Sequence, residues 1–192
     1  MVTDITIARW NEAQRAERSF HNGESFQEGF NHYMDSYGQY FNLLSIHWNQ
    51  GSKKICEIGP ADYPALVYCH KKGIGSFIIE PMPSETLKRF NIPIRQEPAE
   101  TCEYNVDEVW LFNVLQHVIN PYKIVERAKK QSKVIRYFEP INYGVNECHP
   151  WNLTKEMFEE WFPGSVKIWE PNQPVKNFHT WECAYGVYKT GL

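Results

Sequence analysis

Apolar residues along the chain fall into short continuous runs separated by stretches with helical spacing, a pattern that predicts strands alternating with helices. In Lys53 to Gly59, KKICEIG, the residues Ile55, Cys56 and Ile58 make a buried strand that runs into a sharp glycine turn. Asp62 is placed as an N-cap, Pro64 suits a first turn, and Ala65, Leu66 and Cys69 repeat at helical spacing, so a helix is expected next. Gly75 to Glu80 then reads as a second strand, because Phe77, Ile78 and Ile79 form the unbroken apolar run of a strand buried on both faces of a parallel sheet. The unit is βαβ, with Glu57 and Glu80 at the ends of its two strands.

Upstream, residues 1–50 read as helical. Trp10, Ala13, Ala16 and Phe20 share one face, His21-Asn22-Gly23 interrupts the pattern, and Ser25 with Glu28 forms a capping box. A long stripe follows, from Phe26 and Phe30 through Tyr33, Met34 and Tyr37 to Phe41 and Leu44. Packing against the rest of the chain explains such a stripe, and ligand contact is the alternative.

Downstream, Ser84 caps a short helix to Phe90, Ile92 to Arg95 is a weak third strand, and Asp107 to Phe112 a strong fourth. Asn120-Pro121 opens a helix with Ile124, Val125 and Ala128 on its inner face and Lys129-Lys130 at its dipole-negative end. Lys133 to Phe138 is the fifth strand. Thr154 caps the last helix, stapled by Leu153 and Phe158 and stopped at Pro163-Gly164, and two strands close the chain at Val166–Trp169 and Trp181–Tyr188. This order describes a doubly wound α/β sheet, 51–192, preceded by a helical cap, 1–50.

Composition narrows the function classes. The 192 residues, 42% hydrophobic and 15% aromatic, suffice for one folded core. A formal net charge of −3 offers no overall basic field, which disfavours a duplex nucleic-acid partner. Five cysteines without a CxxC pair, and an amino terminus without a secretory signal, point to a reduced, cytoplasmic protein with no membrane span. No His or Cys cluster has zinc spacing, so no metal is expected, and neither a nucleophile elbow nor a Walker lysine is present. A monomer or homodimer is expected.

In a doubly wound sheet ligands bind beyond the carboxyl ends of the strands, so Gly59, Glu80 and Asn113 are expected to converge on one crevice, with Glu80 positioned to accept hydrogen bonds from ribose hydroxyls. The segment Glu57-Ile58-Gly59-Pro60-Ala61-Asp62-Tyr63 and the acid ending the second strand resemble the class I S-adenosylmethionine-dependent methyltransferases, whose first motif is an acid, any residue, then Gly-x-Gly-x-Gly. Only the first glycine is kept here. Asn113-Val114-Leu115-Gln116-His117-Val118 also resembles that family's segment after the fourth strand.

The resemblance implies a seven-stranded, mostly parallel sheet whose last strand is antiparallel beside the fifth, with the amino-terminal helices as a lid. It implies S-adenosylmethionine as cofactor and a small-molecule acceptor, possible sugars included. Glu57, Gly59, Pro60 and Ala61 would lie at the aminoacid end of the cofactor, Glu80 at the ribose, and Pro81 and Met82 beside it toward the adenine. Ala99 and Glu100 would meet the adenine edge, and Asn113 and Val114 the methionine portion.

Several of these have structural alternatives. Glu57 could instead satisfy buried amides; His117 is a candidate base or a support for its loop; His149 is a candidate catalytic and substrate contact or a surface residue; Tyr143 and Trp151 shape an acceptor pocket or fill a core. The rival to an enzyme is a degenerate, non-catalytic module of the same fold that binds a nucleoside or a partner.

Overall fold

The computed structural model describes residues 4–20, 26–47, 53–69, 73, 75–171 and 181–192. Two helices, α1 (Ile7–Phe20) and α2 (Phe26–Leu43), precede a sheet of seven strands. The strands are β1 (Ile55–Ile58), β2 (Phe77–Ile79), β3 (Ile94–Arg95), β4 (Val106–Phe112), β5 (Ser132–Pro140), β6 (Lys167–Trp169) and β7 (Cys183–Lys189), with α3 (Glu85–Lys88), α4 (Pro121–Gln131) and α5 (Lys155–Trp161) between them. The spatial order is β3-β2-β1-β4-β5-β7-β6. β1 to β5 run parallel, whereas β7 lies antiparallel to both β5 and β6. The expected α/β sheet with an antiparallel strand beside the fifth is therefore present.

Alternation along the strands divides the core in two. Cys56, Ile58, Val109, Leu111, Ile135 and Tyr137 meet α4 and α5 on one face. Ile55, Ile78, Trp110, Phe112 and Phe138 meet Tyr37, Tyr40, Phe41 and Leu44 of the α2 region on the other. The aromatic stripe is thus largely a packing surface, and Tyr40 lies 4.6 Å, centroid to centroid, from Phe138. Beneath it, buried Arg136 donates to Glu108 (2.8 Å) and to the Leu44 carbonyl, while Lys53 and the Trp110 indole also donate to Glu108. The arginine ties the end of α2 to two central strands.

Ser84, Asn120 and Thr154 cap α3, α4 and α5 as their sequences predict, each accepting a backbone N–H three residues on. The helix expected after β1 is different. It is a single 3₁₀ turn, Ala65–Tyr68, bounded by extended backbone at Pro64 and Cys69, and Asp62 does not cap it. Its exposed amides are taken instead by Glu57, as described below. The break at 21–23 and Ser25 of the expected capping box lie outside the described residues. Among the described residues, no helix is long and apolar enough to cross a membrane.

Candidate functional site

The carboxyl ends of β1, β2, β4 and β5 open into a cleft of about 1050 Å³, roofed on one side by α1 and α2. Three loops make its floor, and the sequence explains how each is held. The first follows β1. Gly59 has φ +60°, which L side chains rarely adopt, and a Cβ there would stand 2.3 Å from Cγ2 of Val114. Its N–H donates to the Ile79 carbonyl (2.9 Å), so the turn after β1 is joined to the last residue of β2, immediately before Glu80. Ala61 also adopts a left-handed conformation, φ 51°, at the place of the resembled family's second glycine.

The second loop follows β2. Glu80, Pro81 and Met82 line the cleft, and the Met82 N–H donates to the Glu80 carboxylate at 3.1 Å. That bond fixes the carboxylate at the rim near Gly59. The third loop follows β4, where Asn113 turns with φ 57° and Val114 packs against Gly59. Both residues line the cleft.

Two buried carboxylates carry this floor rather than face it. Glu57 is 1% exposed and does not line the cleft; its two oxygens accept from the N–H groups of Ala65 and Leu66, each at 2.8 Å. This corrects the expectation that Glu57 meets a cofactor: it caps the 3₁₀ turn from the neighbouring strand. Burial pushes its pKa up to about 7, against the pull of those two amides. Glu139, at the end of β5, does the same for the third loop. Its Oε2 accepts from both Val114 N–H (2.9 Å) and Leu115 N–H (3.1 Å), its Oε1 also accepts from Val114 N–H (3.1 Å), and burial pushes its pKa up to about 8.

Ala99 and Glu100 line the cleft at its far side. The Glu100 carboxylate accepts the Asn120 N–H at 2.9 Å, and burial raises its pKa. His117, His149 and Tyr143 cluster together along the cleft lining. His117 is fixed by its surroundings: Nδ1 is 3.2 Å from the Cys148 carbonyl and 3.9 Å from the Glu17 carboxylate, and Nε2 is 3.0 Å from the Gln116 amide nitrogen. Its carbonyl accepts from the Trp10 indole and from Gln14, docking α1 over this cluster.

His149 lies 4.6 Å from the His117 ring and 4.7 Å from Tyr143, both edge to face. Burial, and then the neighbouring His117, depress its pKa to about 4 although Glu17 opposes the shift. Trp151 is not at the cleft. Its indole donates to the Val118 carbonyl (2.9 Å) and its ring packs on the α4–α5 core, which corrects its expected place in an acceptor pocket.

Sequence reasoning missed Glu17, Gln116 and Glu139. Glu17 comes from α1, a hundred residues from His117, and no spacing rule joins them. Glu17, His117 and His149 offer ligand atoms within 4.8 Å of one another. Both ring nitrogens of His117 have protein partners, Cys148 and Gln116.

No protein-family model and no curated protein sequence matches the chain. Solved structures do. A possible histamine N-methyltransferase of Thermotoga maritima, described as dependent on S-adenosylmethionine, is similar at TM-score 0.62 and 12% identity, over 95% of each chain. The N-methyltransferase NodS of Bradyrhizobium japonicum, in complex with S-adenosylhomocysteine, gives TM-score 0.60 at 12% identity, over 96% of this chain and 97% of that one. The amino-terminal domain of EvdMO1, crystallised with S-adenosylhomocysteine and D-fucose, gives 0.54 at 13% identity, over 81% and 82%. At these identities the likeness is one of fold.

Proposed function

We propose that this chain, which has the fold of class I methyltransferases, binds S-adenosylmethionine in the cleft and transfers its methyl group to a small-molecule acceptor. The observation that carries the reading is the meeting of the Gly59 turn, the Glu80 carboxylate and the Asn113–Val114 loop at one rim of the cleft. Structural neighbours support it: two are named as methyltransferases, and two, NodS and the EvdMO1 domain, were crystallised with S-adenosylhomocysteine.

The residues fit the cofactor. Glu80 offers acceptor oxygens to ribose hydroxyls, with Pro81, Met82 and Ala99 as apolar surface for a base. Gly59, Pro60 and Ala61 leave backbone without bulky side chains for the aminoacid portion, faced by Asn113 and Val114. The cleft is at the upper end of the usual ~300–1,000 Å³ for ligand sites, enough for a cofactor and an acceptor together.

When bound, S-adenosylmethionine supplies a methyl group already activated by the sulfonium charge. The chain's own residues then have only to bind, align and exclude water, and such positioning is worth several kcal/mol, up to about 7–11 in the best-aligned cases. In this reading α1 is a cap docked through Trp10 and Gln14, and His117 supports it while His149 faces the acceptor. We place the protein in the cytoplasm, in keeping with five free cysteines, all buried.

The non-catalytic alternative rests on the two missing motif glycines, replaced by Ala61 and Tyr63, the latter packed 4.9 Å from Tyr33. Thermal unfolding with S-adenosylhomocysteine, and with a nicotinamide dinucleotide as control, tests the proposal. A rise in Tm with the first alone is expected; no rise, or an equal rise with both, would overturn it.

A further inference from the structure

Asn146 decides which ring nitrogen of His149 carries the proton. One end of the Asn146 side chain accepts the backbone N–H groups of Cys148 and His149, each at 2.9 Å. Backbone amides only donate, so that end is the oxygen and the other is the NH2. The NH2 nitrogen lies 3.0 Å from His149 Nδ1. It too only donates, so Nδ1 is the bare, accepting nitrogen, and in the neutral ring the proton sits on Nε2. Burial, and then the neighbouring His117, keep the ring neutral by depressing its pKa to about 4 against the pull of Glu17. An aspartate in place of Asn146 would impose the opposite tautomer, as the orienting carboxylate of a nucleophile triad does.

The loop that presents this ring is well held. The Asn146 N–H donates back to the His149 carbonyl at 3.0 Å, and Arg9 of α1 donates to the carbonyls of Asn146 and Glu147. His117 and Tyr143 stand edge to face against the imidazole and fix its plane. Nε2 has no hydrogen-bond partner among the described residues, and it is accessible on a ring that lines the cleft. A donor of known direction is therefore offered to whatever lies beside it.

We infer that His149 is not the base of the transfer but a hydrogen-bond donor to the methyl acceptor, its Nε2–H engaging an oxygen of that molecule, and that Asn146 is the positioning residue that sets this tautomer. The inference rests on the methyltransferase reading above. Nε2 has no lone pair with which to take a proton, and the lone pair of Nδ1 already accepts from Asn146. A metal ion on Nε2 would force the proton onto Nδ1, against the Asn146 NH2, so the grouping with Glu17 and His117 does not make His149 a ligand. A hydrogen bond donated to the attacking atom itself would weaken it as a nucleophile. The oxygen bound by His149 is thus a different atom from the one methylated, and the acceptor carries two groups: a nucleophile that reacts, and a carbonyl, ether or hydroxyl oxygen that orients it.

The test joins two measurements on protein loaded with S-adenosylhomocysteine. Two-bond proton–nitrogen correlation NMR of histidine-labelled protein, with His149 assigned by its loss in His149→Phe, reads the protonated nitrogen; Nε2 protonated and Nδ1 bare is expected at neutral pH. Ligand-observed NMR then compares acetophenone with α-methylstyrene, which has the same shape but no accepting oxygen, both suited to the rings of Trp10 and Tyr143. Acetophenone is expected to bind tighter by roughly two- to tenfold, the worth of one neutral hydrogen bond. Asn146→Asp keeps the acceptor for both backbone amides but turns an oxygen onto Nδ1. At pH of about 8, above the ordinary imidazole value, it should move the proton to Nδ1 and erase the preference, and His149→Phe should bind both probes alike. Circular dichroism checks the folding of both variants. A bare Nε2 in the wild type, no preference for acetophenone, binding of neither probe, or a preference that survives in either variant would overturn the inference. Failure of S-adenosylhomocysteine to bind would instead remove the methyltransferase reading, with the tautomer still readable in the free chain.

Discussion

Substitution of Gly59 by alanine probes the floor of the cleft at its tightest point. Two costs add. An L residue at φ +60° is strained by about 1–2 kcal/mol, and the new methyl would meet Cγ2 of Val114 at 2.3 Å. Val114 is stiff at χ1 and 5% exposed, and its backbone is held by Glu139, so relief requires the loop itself to shift. Overpacking of this kind costs about 1–3 kcal/mol. Reduced freedom of the unfolded chain offsets about 0.4–1 kcal/mol, leaving a net destabilisation of roughly 1–4 kcal/mol.

The two costs can be separated because only the second involves Val114. In urea unfolding of Gly59→Ala, Val114→Ala and the double variant, the double variant should be more stable than the sum of the singles predicts, by about 1–3 kcal/mol. Additive effects would refute the claim that the first and third loops are wedged together at this contact.

Glu57→Gln should destabilise by about 1–3 kcal/mol, because each of its oxygens accepts a separate amide and a glutamine offers only one acceptor oxygen; the denaturant midpoint measures the loss, and an unchanged midpoint would contradict the geometry. The carboxyls of Glu57 and Glu139 keep their protons longer when folded than when unfolded, so stability should fall as pH rises from the ordinary carboxylate value of 4.5 through about 8; a thermal-melt series that climbs over that window would contradict the sign. His149 should stay neutral from neutral pH down to its depressed pKa of about 4, and an imidazole resonance that titrates near the ordinary 6.5 would show that the ring is not buried against His117.

The sheet was largely legible because buried parallel strands leave unbroken apolar runs, as at Phe77–Ile79 and Val109–Phe112, and because Ser84, Asn120 and Thr154 act within their own helices. Glu80 was legible for the same reason, standing one residue beyond its strand. Glu57 and Asp62 misled because the cap of the 3₁₀ turn comes from a tertiary neighbour; local rules assign it to the nearest acid in sequence. Trp151 has the composition of a pocket residue but points into the α4–α5 core. Glu17 and Gln116 carry no motif at all: their meaning arises only when α1 docks on the carbonyl of His117.

Calorimetric titration of S-adenosylhomocysteine into the wild-type chain and into Glu80→Ala tests the account at its centre. Saturable binding by the wild type, weakened in the variant by about 1–3 kcal/mol for the lost charged acceptor, is the predicted result. No binding by the wild type, or the same affinity in both, would contradict the placement of an adenosyl ribose at the rim formed by Gly59 and Glu80.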